Sequence, residues 1–183
     1  VEVAEALRTR DLLPTNDRSW LRSSRAALAR GQELRGLINS AQLSSLFSHG
    51  ESLEWLSDDI TIDRTPELRS YLMNEHDIRE IQPQTFLSRV TKEFLESQSD
   101  EWIRQLYEFL LGQSYLMRNA AIANKPWVRL ENGTHVIAFT GEQPNAFLPS
   151  KSASGFPTVR LEVSKSKEAL EFLKNNLKLT EPD

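Results

Sequence analysis

From Pro83 to Leu110 apolar residues recur at steps of three and four, and no other feature limits the fold of this chain so strongly. Phe86, Leu87, Val90, Phe94 and Leu95 mark one helical face, and Trp102, Ile103, Leu106, Tyr107, Phe109 and Leu110 mark the next, with Ser99 placed as an N-cap between them. Gly112 interrupts, and helix is predicted again over 114–123. After Lys125 the pattern becomes strand-like. Trp127-Val128-Arg129-Leu130 and His135-Val136-Ile137-Ala138 flank Asn132-Gly133, a dipeptide suited to a tight two-residue turn with positive φ at both positions. Further strands are predicted over 146–148 and 159–163, then a closing helix over 166–175. Val128 and Leu130 make the better inward pair, which points Arg129 outward; the hairpin either covers the central helices structurally or presents Arg129 and His135 as a docking edge.

The first eighty residues carry shorter signals. The chain opens in a helix-like pattern at Val1 to Leu7. Leu12-Leu13-Pro14 and Ser19-Trp20-Leu21 then flank a polar cluster at 15–18, which predicts a short hairpin. Helices are predicted over 31–38 and, with Ser40 as N-cap, over 41–47. Ile60-Thr61-Ile62 reads as a strand, Thr65-Pro66 starts a helix reaching Met73, and 78–81 reads as another short strand. The two hairpins echo one another: each has a short run, a polar turn, and a small hydroxyl residue followed by an aromatic or histidine. The expected class is α+β, a central helical block flanked by two short β-hairpin-plus-helix modules. The expected division is a mainly helical region over 1–124 with an N-terminal hairpin, and a hairpin and strand module over 125–183 closed by a helix.

Composition narrows the class of protein. Of 183 residues 39% are hydrophobic and 26% charged, which excludes disorder. No window approaches the apolar length of a membrane span, and the absence of cysteine excludes disulfides, thiolate nucleophiles and zinc fingers. The formal net charge of −4 argues against bulk binding to nucleic acid. The charge is unevenly spread. Seven arginines between Arg8 and Arg35 stand against three acids, whereas six acids between Glu51 and Glu67 stand against Arg64 alone. These stretches either complement one another within the fold or leave a basic face for a partner.

Chemistry-bearing patterns are sparse. His49, His76 and His135 lie in separate segments without a second ligand at helical spacing, so no metal site is expected. Gly31 and Gly36 lack the Lys-Ser or Lys-Thr of a phosphate loop, and Lys151-Ser152-Ala153-Ser154-Gly155 is not a nucleophile elbow. Asp58, Asp59 and Asp63 precede a helix start, where acids favour the dipole. Trp20, Trp55, Trp102, Trp127 and Tyr107 sit among aliphatic neighbours and are expected in the core.

Several phrases together resemble the interior of large bacterial sacsin-like proteins: Leu12-Leu13-Pro14-Thr15, Asp63-Arg64-Thr65-Pro66-Glu67-Leu68, Gln98-Ser99-Asp100-Glu101-Trp102 and Pro126-Trp127-Val128-Arg129-Leu130-Glu131-Asn132-Gly133. Ala146-Phe147-Leu148-Pro149 and Glu168-Ala169-Leu170-Glu171-Phe172-Leu173 belong with them. Such proteins carry an ATP-binding domain of the gyrase, histidine-kinase and heat-shock-chaperone type near the N-terminus. The family tends to place Asp-Gly after the Leu-Leu-Pro-Thr phrase, where this chain has Asp17-Arg18. None of the ATP-site motifs of that family is in these residues, so the resemblance assigns ATPase activity to a parent chain.

The expected function is therefore a non-catalytic structural and interaction module of a larger cytoplasmic ATP-dependent protein, of which this chain reads as an excised piece. It is expected to bind no cofactor and to contact other domains of the parent, including the ATP-binding domain, or a protein client, without a membrane. The expected contact residues are Arg18, Arg22, Arg25, Arg30, Arg35, Arg129 and His135, with the loop over 141–157 as a further surface. The alternative is a nucleic-acid-binding module of a defence or repair protein using the five N-terminal arginines on phosphates. A third reading, an independent hydrolase, needs perturbed carboxylates in a pocket near a Ser or His.

Overall fold

In the computed structural model, residues 2–151 and 155–183 are described. The expectation for the small-residue loop at 151–155 falls, at 152–154, outside the described residues. The class is α+β, with short strands among many helices. Two compact units, 1–86 and 87–183, divide the chain well before the expected position at 124/125. The reason lies in packing: the helices after Phe86 make their contacts with the C-terminal hairpin and the closing helix.

The first unit contains α1 (Glu2–Thr9), the hairpin β1 (Leu13–Pro14) and β2 (Trp20–Leu21), β3 (Ala26–Ala29), α2 (Gln32–Leu37), α3 (Ser40–Phe47), β4 (Glu54–Trp55), α4 (Pro66–Glu75) and β5 (Arg79–Ile81). Strands β4, β3 and β5 form a parallel sheet with β3 in the middle. Its core gathers Leu13, Leu21, Leu28, Leu56, Ile60, Leu72 and Ile78. The Trp55 indole donates to the Ile38 carbonyl at 2.7 Å. Asn39, not Ser40, caps α3, in a reciprocal box with Gln42. Residues 60–62 are not a strand: Ile60 is buried, Ile62 is exposed, and no neighbouring strand pairs with them. Trp20 is exposed rather than in the core, because Leu21 takes the inner face of β2.

The second unit is built around α7 (Asp100–Gly112). It follows α5 (Pro83–Arg89), which crosses the division, and α6 (Lys92–Glu96). Ser99 caps α7, accepting from the Trp102 amide at 3.1 Å. The predicted face is buried in full, from Trp102 to Leu110. Phe94 meets Trp102 edge-on, and Tyr107 stacks on Phe172. After α8 (Ala120–Ala123) come the hairpins β6 (Val128–Arg129) with β7 (His135–Val136) and β8 (Phe139–Thr140) with β9 (Gln143–Pro144), then α9 (Lys167–Glu171). The expected strands over 146–148 and 159–163 reduce to the single bridges Phe147 to Thr158 and Leu130 to Val159, and residues 161–164 coil into a 3-10 turn.

The echo between the two hairpins is geometric. Leu13 faces Leu21 and Pro14 faces Trp20, just as Val128 faces Val136 and Arg129 faces His135. Thr15 donates its amide to Ser19, as Leu130 does to Thr134, so each loop has three residues rather than two. The third loop residue is left-handed in both, Arg18 at φ 67° and Gly133 at φ 85°, while Asn132 is not. The preceding residue, Asp17 or Asn132, accepts the amide two positions on. Only glycine takes that backbone region without cost, and open space surrounds the position of a Cβ on Gly133. Arg18→Gly is expected to stabilise the first unit by about 0.5–1 kcal/mol, and Gly133→Val to destabilise the second by about 1–3 kcal/mol. Urea unfolding midpoints check both, and unchanged midpoints would show that the loops carry no such strain.

Candidate functional site

Contrary to expectation, Arg129 and His135 point inward. Both faces of the two-residue strand β6 are covered, with Trp127, Val128 and Arg129 all buried, so alternation leaves no outward position there. The Arg129 guanidinium donates from Nε to His135 Nε2 at 3.0 Å and from Nη1 to Asp100 at 2.9 Å. From Nη2 it donates to the Leu95 and Gln98 carbonyls, at 2.7 and 2.9 Å. Arg160 reaches the second oxygen of Asp100 at 2.9 Å. Because His135 Nε2 accepts, its proton resides on Nδ1, which donates to the Pro126 carbonyl at 2.9 Å. Burial pushes this imidazole down to about 4, against the Pro126 bond; the Arg129 charge lowers it further and Glu96 raises it. Burial also raises Asp100, but the Arg129 and Arg160 hydrogen bonds and charges together hold it below the ordinary carboxylate range. The Tyr107 hydroxyl, pushed up by burial, donates to the Trp127 carbonyl and accepts the Arg129 amide. Every group of this cluster is thus turned on another, and its chemistry is that of a clamp.

The five N-terminal arginines do not converge. Arg22 pairs with Asp11 at 3.4 Å, and Arg25 with Glu54 at 3.6 Å while donating to the Ser52 carbonyl. Arg35 donates to the Leu56 carbonyl at 2.5 Å; burial lowers its pKa, and Asp58 opposes that. The basic and acidic stretches therefore complement one another in part: Arg25 pairs with Glu54, and the charge of Asp58 acts on Arg35. Arg18 stands on the hairpin loop, and Arg30 is exposed after β3.

Arg30 and Arg35 share a crevice of about 550 Å³ beyond the carboxyl ends of the parallel strands. Strand β3 leads through α2 and α3 to β4 on one side, and β4 leads through α4 to β5 on the other. The chain thus changes direction at β3, and such a switch point leaves an opening at the strand ends. Arg69 and Glu80 close its base with a 2.7 Å ion pair, Arg69 also donating to the Ala29 carbonyl at 3.1 Å. Asp58, Ile62 and Asp63 line it as well. Sequence reasoning missed Asp100, Arg160 and the Arg69–Glu80 pair. The signal for Arg69 was its place three residues before buried Leu72, on the inner face of α4.

Two carboxyls are held low, Asp17, brought down to about 2 first by the Thr15 hydroxyl and then by Ser19, and Asp100; neither lines this crevice. Among the described residues no three His, Asp or Glu side chains are grouped to hold a metal ion, and no helix is long and apolar enough to cross a membrane. Comparisons with protein-family models, curated proteins and solved structures found no match.

The clamp sets a pH window. Between about 4 and 6.5 the unfolded chain binds a proton on His135 that the folded chain refuses. Stability is full above pH 6.5 and is expected to fall by about 3 kcal/mol as pH drops through the window. His135→Gln should flatten that slope in denaturant titrations. Arg129→Met is expected to cost about 3–5 kcal/mol at neutral pH, since it strands buried partners.

Proposed function

We propose that this chain is a non-catalytic structural and interaction module of a larger cytoplasmic ATP-dependent protein of sacsin-like kind. In this reading the crevice at the carboxyl ends of β3 and β5 receives a segment of another domain of the parent, the ATP-binding domain included, or a protein client. The observation that carries it is the switch-point crevice itself. Arg30, Asp58 and Asp63 offer both charges at its mouth, and Ile62 stands 70% exposed on its rim. Mixed charge around an apolar residue suits a polypeptide segment better than a uniformly anionic ligand. The engagement of Arg22, Arg25 and Arg35 within the fold weighs against the nucleic-acid reading.

Two measurements test this. Titration of the 183-residue chain with Mg-ATP is expected to give no binding heat. In the full-length parent, benzoylphenylalanine at Ile62 is expected to cross-link to another domain or a client with a yield that changes at least about threefold between ATP and ADP. Micromolar ATP binding by the chain alone, or equal cross-linking in both nucleotide states, would overturn the proposal.

A further inference from the structure

Asn132 is the one asparagine of the sequence followed by glycine. An asparagine so placed is open to attack by the amide nitrogen of its neighbour, because glycine has no side chain to crowd the approach. Both residues sit in the loop between β6 and β7. Asn132 is exposed there, and open space surrounds the position of a Cβ on Gly133.

The loop prepares the side-chain amide as an electrophile. Asn132 Oδ1 accepts from the Thr134 amide at 3.0 Å and from the Thr134 hydroxyl at 2.7 Å, and both donors draw electron density from Cγ. The first of these bonds closes a turn that runs through Cγ, Cβ, Cα, the main-chain carbonyl carbon and the Gly133 nitrogen. Those five atoms are the ones a succinimide ring joins, so the hydrogen-bonded turn already folds the side chain toward its attacker. What the loop withholds is the nucleophile. The Gly133 amide donates to the Leu130 carbonyl at 2.9 Å, and it must lose that proton before the nitrogen attacks. Arg160 keeps the loop shut, donating from Nη1 to the Glu131 carbonyl at 2.9 Å while its Nε is engaged with Asp100.

We propose that Asn132 is a site of spontaneous deamidation, gated by the Gly133–Leu130 hydrogen bond and by the hold of Arg160 on the loop. Hydroxide removes the Gly133 amide proton, and the nitrogen bonds to Asn132 Cγ. Nδ2 takes a proton from water, which returns the hydroxide, and leaves as ammonia, giving the succinimide. Water then opens the ring. Cleavage of the new N–Cγ bond gives aspartate at position 132, and cleavage of the bond from the main-chain carbonyl to nitrogen gives isoaspartate. The hairpin tolerates one product and not the other. The first hairpin carries Asp17 at the matching loop position, accepting the Ser19 amide at 3.1 Å, so aspartate fits this geometry. Isoaspartate adds a methylene to the main chain inside a three-residue loop, which then cannot keep both the Leu130–Thr134 and the Gly133–Leu130 bonds. Its formation loosens the hairpin that carries Arg129 and His135, so the clamp records in its covalent structure how often the loop has opened.

The test is ageing of the whole chain in warm, mildly alkaline buffer, with peptide mapping of every asparagine and hydrogen exchange of the Gly133 amide. Asn132 is expected to convert before any other asparagine, to a mixture of aspartate and isoaspartate. Arg160→Met leaves the Arg129–Asp100 pair in place and is expected to speed Gly133 exchange and Asn132 conversion together, each at least about threefold. Thr134→Val keeps the amide donor and removes the hydroxyl, so conversion should fall at least about threefold relative to exchange. Asn132→Asp should keep the urea midpoint of the parent chain, whereas chains enriched in isoaspartate should unfold at lower urea. The proposal fails if another asparagine converts first or if Arg160→Met leaves conversion at the parent rate. It fails equally if Thr134→Val leaves the ratio of conversion to exchange unchanged, or if isoaspartate chains unfold like the parent.

Discussion

One guanidinium organises the second unit. Helix α6 ends at Glu96 and α7 begins at Asp100, so within a few residues one helix presents unsatisfied carbonyls and the next unsatisfied amides. Arg129 answers the first by donating to the Leu95 and Gln98 carbonyls, and Asp100 answers the second from the first turn of α7. The two side chains then bind each other at 2.9 Å, so a cation and an anion that each suit a helix end also neutralise one another. A buried charge with missing partners would be a large penalty, but four of the five guanidinium N–H groups have acceptors. Arg160 adds a second cation to Asp100 and also holds the Glu131 carbonyl at 2.9 Å, which ties the hairpin loop to the same point.

The clamp also explains the neutral His135. An imidazolium would have to donate from both nitrogens, yet Arg129 Nε already points a proton at Nε2. Protonation therefore breaks that bond and sets two cations together where water is excluded. The two hairpins show the alternative: the first has the same loop geometry but Trp20 at the place of His135, exposed and with no buried charge opposite. Equal backbone geometry thus serves two purposes, set by what lies beneath each strand.

Local signals in the sequence identified those elements whose stability is local. Ser99 and Ser166 cap helices with their own hydroxyls, and the face from Trp102 to Leu110 is a repeat that any helix must bury. The parallel sheet was not legible. Ala26-Ala27-Leu28-Ala29 has the composition of a helix, and it becomes a strand only because Trp55 and Arg79, distant in sequence, supply neighbours on both sides. Ile60-Thr61-Ile62 has strand composition and no neighbour, and it remains a turn. Arg129 was misplaced for a related reason. Alternation assigns residues to two faces, but it does not say that both faces are covered, and an arginine among apolar residues reads as outward until Asp100 and the free carbonyls are seen beneath it. The crevice was legible only as a bias of charge between two stretches, of which the fold brings Arg30 and Arg35 from the one and Asp58 and Asp63 from the other to its walls.

The position of the crevice in the first unit follows from the sheet. All three strands run the same way, so every strand start lies at one end and every strand finish at the other, and the connections must leave and return across those ends. With strands of two to four residues the sheet is too short for its ends to be filled by the strands' own side chains. Three of the four residues of β3 are alanine, which covers the sheet faces with little bulk and leaves space at the ends to be lined by the longer side chains of the loops. At the finishing end Arg69 reaches under the sheet to Glu80 and the Ala29 carbonyl, satisfying the polar groups that the switch point exposes. At the starting end His76 is buried against Tyr71, and neither of its ring nitrogens has a hydrogen-bond partner among the described residues. One end of the sheet is thus closed by a satisfied polar pair, and the other by an imidazole packed against Tyr71 without one.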